Sequence, residues 1–430
     1  MTHSMSVELR QHMAFEATRL SGFRRQLLSL VDPCAQGLPP TVDVAYVWPT
    51  ELCSIGCAHC SFASPKVGPD YRRRLAGRAG DVVQWLSAAG CKKLVACGGG
   101  EPLEEPDFIL QVVSQCAQLG IAFEIYTSGT SLNVTTDVRA LLRQWNSLWR
   151  EHRPTTEYPS VRLSIDAFHE ERIGLGVPAS WIRLIEEEVP EWTVALRGVR
   201  LVGDDSLGRL ANLLGAQVIQ SYPGVVHLKM PSGRKIKAEF KGIVFDGRSS
   251  LSALRKRHLE LSSEDGKIVS NLAAVHGNRR RLGRPLSSRL TVTTRRMDLE
   301  IHSSGVVHAL EAHPTDTRLN LLDFTWSEIR DVCYRDPLLH RVAGWGLPAV
   351  ARLIERAVLI GIAPKSVVPY SVDLLTDRRT LDVVSAMSLL LNQSKFVYTQ
   401  TATSLARERL AEFADLNDFG PKVGGSVDRI

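Results

Sequence analysis

No run of about 18 uncharged apolar residues occurs anywhere in the chain, which excludes an ordinary transmembrane helix. The apolar stretch 357–363 is too short to span a bilayer. A secretory signal is missing too. Glu8, Arg10, Glu16, Arg19, Arg24 and Arg25 interrupt the first turns, so the N-terminus reads as an amphipathic helix, and a cytoplasmic address is expected. Cysteine is sparse, with eight in 430 residues, too few for a secreted disulfide framework. Charge of one sign is lacking: 52 Lys and Arg face 46 Asp and Glu, a net of +6, which demands no polyanionic partner. One local run is basic: Arg279, Arg280, Arg281, Arg284, Arg289, Arg295 and Arg296. It reads as a solvated loop, or else as a patch for phosphate, nucleotide or an acidic protein. No internal repeat is present.

What remains is a soluble composition, 44% hydrophobic and 23% charged, in a chain long enough for two or three domains. Strand-like runs at 42–47, 93–96, 121–126, 161–165, 193–201 and 225–229 alternate with helical runs at 81–89, 106–119, 137–149, 180–188 and 206–214. Pro106 near the start and Gly120 just past the end of one run follow the usual helix asymmetry. Such alternation predicts an α/β fold, a partial (β/α)6 barrel of parallel strands with an α+β C-terminal extension. The expected divisions are a helical segment at 1–40, the barrel at 41–230, an Arg-rich insertion at 231–297, the extension at 298–345, and a C-terminal helical region with a frayed tail at 346–430. In the extension, a hairpin over 299–310 turns at Ser303-Ser304-Gly305, and helices follow near 326–333, 348–359 and 381–391. Function in parallel sheets gathers at the C-terminal strand ends.

Four short motifs fall at those ends. Cys53-Ser-Ile-Gly-Cys57-Ala-His-Cys60 follows the first strand, with Gly56 free to fold the loop round a ligand. Gly98-Gly99-Gly100-Glu101-Pro102 follows the second, Thr127-Ser128-Gly129 the third and Ser164-Ile165-Asp166 the fourth. Three thiolates can hold three irons of a [4Fe–4S] cube and leave one iron open. The same cysteines also suit a zinc knuckle or an electron-transfer cluster, with a fourth ligand from His59, His169 or a distant cysteine. Ser164 and Asp166 fall on the same face of their strand. Cys91, Cys97 and Cys116 are expected in the core, and Glu170 and Arg172 as a local pair.

The Cys-x3-Cys-x2-Cys spacing after a first barrel strand resembles the radical S-adenosylmethionine superfamily. That resemblance implies a [4Fe–4S] cluster on Cys53, Cys57 and Cys60, with S-adenosylmethionine on the open iron. It implies that Gly99, Gly100 and Glu101 bind the methionyl amine, and that Ser164 and Asp166 reach the carboxylate and ribose. Ser128 stands where many members have Asn, and His59 stands where most have an aromatic flanking the cofactors. Arg197 or Arg200 would neutralise the methionyl carboxylate. The C-terminal order, with Ile301 to His308, then 319–322, 326–330 and Asp336-Pro-Leu-Leu339, is similar to a SPASM or twitch extension without its cluster cysteines. Cys333 and Tyr334 would then be candidate hydrogen donors to a substrate radical, whereas a lone helical cysteine is otherwise a small buried hydrophobe. A flavodoxin- or ferredoxin-type electron donor is implied, and neither membrane nor nucleic acid is an expected partner. About forty residues before the first strand leave little room for a leader-peptide binder. The reading therefore leans to a small molecule, a sugar or natural-product precursor, that is epimerised or oxidised. A peptide-modifying maturase is the alternative enzyme, and a non-catalytic Fe–S or zinc protein binding RNA the alternative class.

Overall fold

The computed structural model describes residues 41–57, 60, 74–131, 137–152, 158–199, 203–222, 225–241, 296–309, 319–335, 386–387 and 400–416. The chain divides into two compact units. One comprises Asp43–Ile268 with Glu300–Gly305, and the other comprises Met1–Val42, Val269–Leu299 and Val306–Ile430.

The first unit alternates strand and helix: β1 (Thr41–Val47), α1 (Ala79–Ala88), β2 (Lys93–Ala96), α2 (Pro106–Leu119), β3 (Ala122–Thr127), α3 (Val138–His152), β4 (Ser160–Ser164), α4 (Ala167–Ile173), α5 (Gly176–Glu188), β5 (Thr193–Val199), α6 (Ser206–Leu214), β6 (Gln217–Tyr222), β7 (Val225–Lys229) and β8 (Lys235–Lys241). Its strand order is β1-β2-β3-β4-β5-β8-β7-β6. Successive pairs from β1 to β5 are parallel, and so is β5 with β8. This is the partial barrel that the alternation predicts, with six parallel strands among the described residues.

One strand is not where the sequence puts it. Residues 225–229 do form a strand, but β7 runs antiparallel to both β6 and β8. The sixth parallel strand is β8, in the segment read as an insertion. The cause is a tight reversal. Gly233 adopts φ 88, Met230 N donates to Arg234 O at 2.8 Å, and the chain turns straight back. A hairpin (β7–β8) therefore replaces the crossover helix that a parallel neighbour would need.

The helices present one apolar face each. In α2, Phe108, Ile109, Val112, Val113, Cys116 and Ala117 are buried, and Gly120 stops the helix in the left-handed region at φ 67. Between α3, α5 and β5 sits a tryptophan cluster. Trp145 stacks on Trp192 with centroids 6.3 Å apart, and Trp181 lies 6.4 Å from Trp145. All three are fully buried. Removing such a ring costs about 3–5 kcal/mol. The Trp181 indole N–H donates to Gly129 O at 2.8 Å, so this core is tied to the turn that ends β3. A Cβ on Gly129 would lie 2.8 Å from that same nitrogen, and Gly129 has φ 90. Glycine is required there for packing.

In the second unit the described elements are the bulk of β9 (Arg296–Ile301), β10 (Val307–Ala309), α7 (Trp326–Arg335) and α8 (Gln400–Leu416). The expected hairpin is present, with Gly305 at φ 86 between β9 and β10. The expected helix near 326–333 is α7. Thr325 and Glu328 cap it reciprocally: Glu328 Oε2 accepts from Thr325 N at 2.8 Å, and Glu328 N donates to Thr325 Oγ1 at 3.4 Å. The expected N-terminal helix, the arginine run up to Arg295, the Asp336 segment and nearly all of the helices expected at 348–359 and 381–391 lie outside the described residues. Among the described residues no helix is long and apolar enough to cross a membrane.

Candidate functional site

The cysteine loop leaves the C-terminal end of β1 and is pinned to its neighbours. Gly56 turns it at φ 61, and Cys60 N donates to Cys57 O at 3.2 Å. Ser54 N donates to Glu104 Oε1 at 3.3 Å, which ties the loop to the turn after β2. Cys53, Cys57 and Cys60 are all free thiols, neither fully buried nor fully exposed. Burial pushes the Cys53 thiol up to about 11, helped by the nearby Glu101 and Cys57 charges and opposed by hydrogen bonds from the Gly56 and Ile55 backbone.

The glycine turn after β2 packs directly beneath this loop. A Cβ on Gly98 or Gly99 would meet the Trp48 ring at 2.6 or 2.7 Å, and one on Gly100 would meet Leu52 O at 2.2 Å. The triple glycine therefore lets two loops touch. The sequence offers only close approach to a ligand as its reason. Glu101 N donates to Leu52 O at 2.8 Å and completes the joint.

Glu101 is buried, and the protein itself supplies its donors. Oε1 accepts from Leu103 N at 3.1 Å and from the Thr127 hydroxyl, while Oε2 accepts from Ser128 N at 2.9 Å and Ser128 Oγ at 2.7 Å. Burial raises its pKa, and these four bonds oppose the rise. The carboxylate thus fastens the end of β2 to the end of β3, and its four acceptor positions are taken. Ser128, at the position where the family's Asn is expected, spends its hydroxyl on this joint.

Asp166 behaves in the same way one strand further on. It is wholly buried at the start of α4. Oδ1 accepts from Phe168 N at 3.0 Å, His169 N at 3.0 Å and His169 Nδ1 at 2.9 Å, and Oδ2 accepts from Val199 N at 3.2 Å. It caps α4 and ties β4 to β5, where Gly198 has no room for a side chain: a Cβ would lie 1.8 Å from Ile165 O. The His169 imidazole that it holds feels both Asp166 and Cys57. Burial works against the imidazolium, but Asp166 and Cys57 outweigh it and lift the His169 pKa to about 10. His169 figures in the sequence only as one of several spare zinc ligands. Its signal was its position three residues after the cap, where a side chain can reach back to the capping carboxylate. Glu170 does not pair with Arg172 as expected. It accepts from Arg209 Nε at 2.9 Å, and Arg209 lowers its pKa.

Ser164 and Arg197 are register partners on β4 and β5. The register places Glu124, Tyr126, Arg162, Arg197 and Glu239 on one face of the sheet. Glu124, 4% exposed, pairs with Lys93 at 2.5 Å and with Arg162 at 3.0 Å, and Arg162 reaches Glu239 at 3.1 Å. The guanidinium carbons of Arg162 and Arg197 lie 4.5 and 5.3 Å from the Tyr126 ring centroid. Burial drives the Tyr126 hydroxyl far above its ordinary range, so it stays a neutral donor. Cys91 and Cys116 are buried as expected, whereas Cys97 keeps partial exposure. His59 lies outside the described residues. Cys333 and Tyr334 sit on α7 in the second unit, with side chains outside the described set.

Three thiols on one short loop are the donor type that a cube takes. A [4Fe–4S] cluster takes one thiolate per iron, so its ligands need not meet at a point, whereas structural zinc needs four about one centre. Among the described residues no three His, Cys, Asp or Glu side chains converge as a single-ion site.

No curated protein matches the sequence. Among solved structures, the chain is similar to Streptococcus suis SuiB bound to S-adenosylmethionine, with 12% identity over 70% of this chain and 68% of that one and a TM-score of 0.34. It is also similar to HydG, a maturase of the [FeFe]-hydrogenase, with 11% identity over 96% and 98% and a TM-score of 0.33. Residues 48–200, from the end of β1 through β5, match the Radical SAM superfamily. That segment carries a Radical SAM domain, whose family uses a [4Fe–4S] cluster and S-adenosylmethionine.

Proposed function

We propose that this enzyme cleaves S-adenosylmethionine reductively at the mouth of the partial barrel and uses the resulting radical to abstract hydrogen from a polar small molecule. The cofactors, when bound, supply an electron and a 5′-deoxyadenosyl radical. Everything else is the work of the chain. Cys53, Cys57 and Cys60 hold the cluster. Glu101 and Asp166 act by fastening strand ends, since their oxygens already carry donors from the protein. Gly99 and Gly100 through their backbone, Ser164 through its hydroxyl, and Arg197 as a cation remain the groups for the methionyl and ribosyl parts, while Ser128, like Glu101, holds the joint between β2 and β3. His59 flanks the cofactors.

The observation that carries this reading is the joining of all four strand-end motifs. The cysteine loop contacts the glycine turn through Leu52, that turn is fastened to β3 through Glu101, and Thr127 at the β3 end pairs in register with Leu163 at the β4 end. The charged sheet face favours a polar substrate such as a sugar or natural-product precursor, whose epimerisation or oxidation would follow hydrogen abstraction. A flavodoxin- or ferredoxin-type protein would supply the electron. Protein reconstituted with iron and sulfide, then given S-adenosylmethionine and dithionite, should release 5′-deoxyadenosine. Retained zinc with no such release would favour the non-catalytic alternative. Binding of candidate sugars against candidate peptides separates the small-molecule reading from a peptide-modifying one.

A further inference from the structure

The polar face of the parallel strands holds two kinds of group, those that have met their partners and those that have not. Glu124 pairs with Lys93 and Arg162, and Glu239 pairs with Arg162 and Lys237. Nearer the C-terminal strand ends, three donors are left over. Among the described residues no side chain or carbonyl accepts from the Tyr126 hydroxyl, the Ser164 hydroxyl or the Arg197 guanidinium. We propose that these three form a subsite for a carboxylate carried by the substrate, so that the small molecule of the preceding section is an organic acid such as a sugar acid. The inference deepens that reading and rests on it.

Register brings the three together. Ser164 ends β4 and is the partner of Arg197 on β5, while Tyr126, on the other flank of β4, is the partner of Arg162 two residues earlier. Their alternates Phe123, Ile125, Val161, Leu163, Val194 and Leu196 are buried on the opposite face. Tyr126, Ser164 and Arg197 themselves keep partial exposure, at the strand ends where parallel sheets take their ligands. Charge then sets the kind of ligand. Arg162 has two carboxylates, but the one contact of Arg197 is with the Tyr126 ring, 5.3 Å from its centroid. A half-buried cation without a counter-ion favours an incoming anion. A guanidinium fork matches the two oxygens of a carboxylate, and the two hydroxyls can donate to the lone pairs left over. A phosphate dianion asks for a second free cation, and Lys93, Arg162 and Lys237 are already paired. A guanidinium carries five N–H donors, so the methionyl carboxylate does not exhaust Arg197. Tyr126 has no place in the co-substrate site and therefore reports on the substrate alone.

Acetate, methyl phosphate and acetamide test the preference, since each presents one methyl group to saturation-transfer difference NMR. On reconstituted protein saturated with S-adenosylmethionine, acetate should bind about tenfold more tightly than either of the others. Tyr126→Phe keeps the ring beside Arg197 and removes one bond to a charged group, so acetate binding should weaken about tenfold. Arg197→Met should abolish it. Arg150→Met removes a surface guanidinium that pairs with Glu191 and should leave it unchanged. Should Tyr126→Phe fail to fold, Ser164→Ala takes its place and should weaken acetate in the same way. Acetate that binds the phenylalanine or alanine variant as it binds wild type overturns the subsite. Displacement of acetate by S-adenosylmethionine overturns it too, because Arg197 then belongs wholly to the methionyl carboxylate. Tighter binding of methyl phosphate, or of acetamide, overturns the choice of a carboxylate. Each of these results leaves the radical reading intact, and that reading fails separately if wild-type protein releases no 5′-deoxyadenosine.

Discussion

Ser128 gives both its backbone N–H and its hydroxyl to a single carboxylate oxygen of Glu101, at 2.9 and 2.7 Å, and so locks the end of β3 to the turn after β2. Glu101→Gln removes the charge from four bonds and turns one acceptor into a donor that faces donors. A stability loss of about 1–3 kcal/mol is expected, read as a drop in the urea midpoint of the cofactor-free protein. A variant that kept full stability and lost only affinity for S-adenosylmethionine would show that the carboxylate serves the ligand.

Gly100 and Gly198 should be intolerant of even one carbon. A Cβ at these positions would lie 2.2 Å from Leu52 O and 1.8 Å from Ile165 O, both backbone atoms that cannot swing aside. Gly100→Ala and Gly198→Ala are each expected to cost about 1–3 kcal/mol or more. The exposed Gly176, where nothing lies near a Cβ, should accept alanine freely. Thermal unfolding of the three variants side by side makes the comparison.

Cys53 should be slow to ionise before the cluster is loaded. Its thiol is raised from 9.0 to about 11, so the folded state holds a proton that the unfolded chain releases earlier. The stability gained from this is complete below pH 9 and is lost as the pH climbs towards 11. In cofactor-free protein, iodoacetamide labelling of Cys53, followed by peptide mass spectrometry, should rise through that interval. Rapid labelling at pH 8 would contradict it.

Arg162 bridges Glu124 and Glu239, and its loss leaves a carboxylate pair partly compensated by Lys93 and Lys237 alone. Arg162→Met is expected to destabilise by about 3 kcal/mol, because the buried Glu124 keeps Lys93 as its one remaining cation among the ion pairs of the described residues. Arg162→Lys should recover only part of this, since an ammonium cannot span two carboxylates as a guanidinium fork does. Denaturant titration of both variants provides the check.

Cys57→Ala should abolish both the brown colour of the reconstituted protein and the release of 5′-deoxyadenosine. Cys333→Ala should leave both intact. If the Cys333 thiol returns hydrogen to a substrate radical, that variant will accumulate an oxidised or unquenched product while cleavage continues, and mass spectrometry of the product tests this directly.

The parallel strands up to β5 were legible because each is a short apolar run bounded by glycine, proline or a polar turn. β8 was not, for a physical reason. Lys235-Ile-Lys-Ala-Glu-Phe-Lys241 alternates perfectly, but its polar members face the charged side of the sheet, so it resembles a surface linker. The cysteine loop was legible from its spacing alone. The duties of Glu101 and Asp166 were not. A carboxylate at a strand end looks the same whether it waits for a ligand or has its oxygens filled by backbone N–H groups from residues far away in sequence.

The segment Glu300–Gly305 returns from far along the chain to the barrel unit. The His302 ring stacks on Trp48 at 3.8 Å, Ile301 O accepts from Trp48 N, and Ser303 O accepts from Leu75 N. Trp48 is the same ring that underlies the glycine turn. A fragment that stopped at residue 268 would therefore strip one flank from the indole on which Gly98 and Gly99 rest. Excising the catalytic half for separate expression calls for carrying this hexapeptide along, by fusion or circular permutation, or the floor beneath the cysteines will sag.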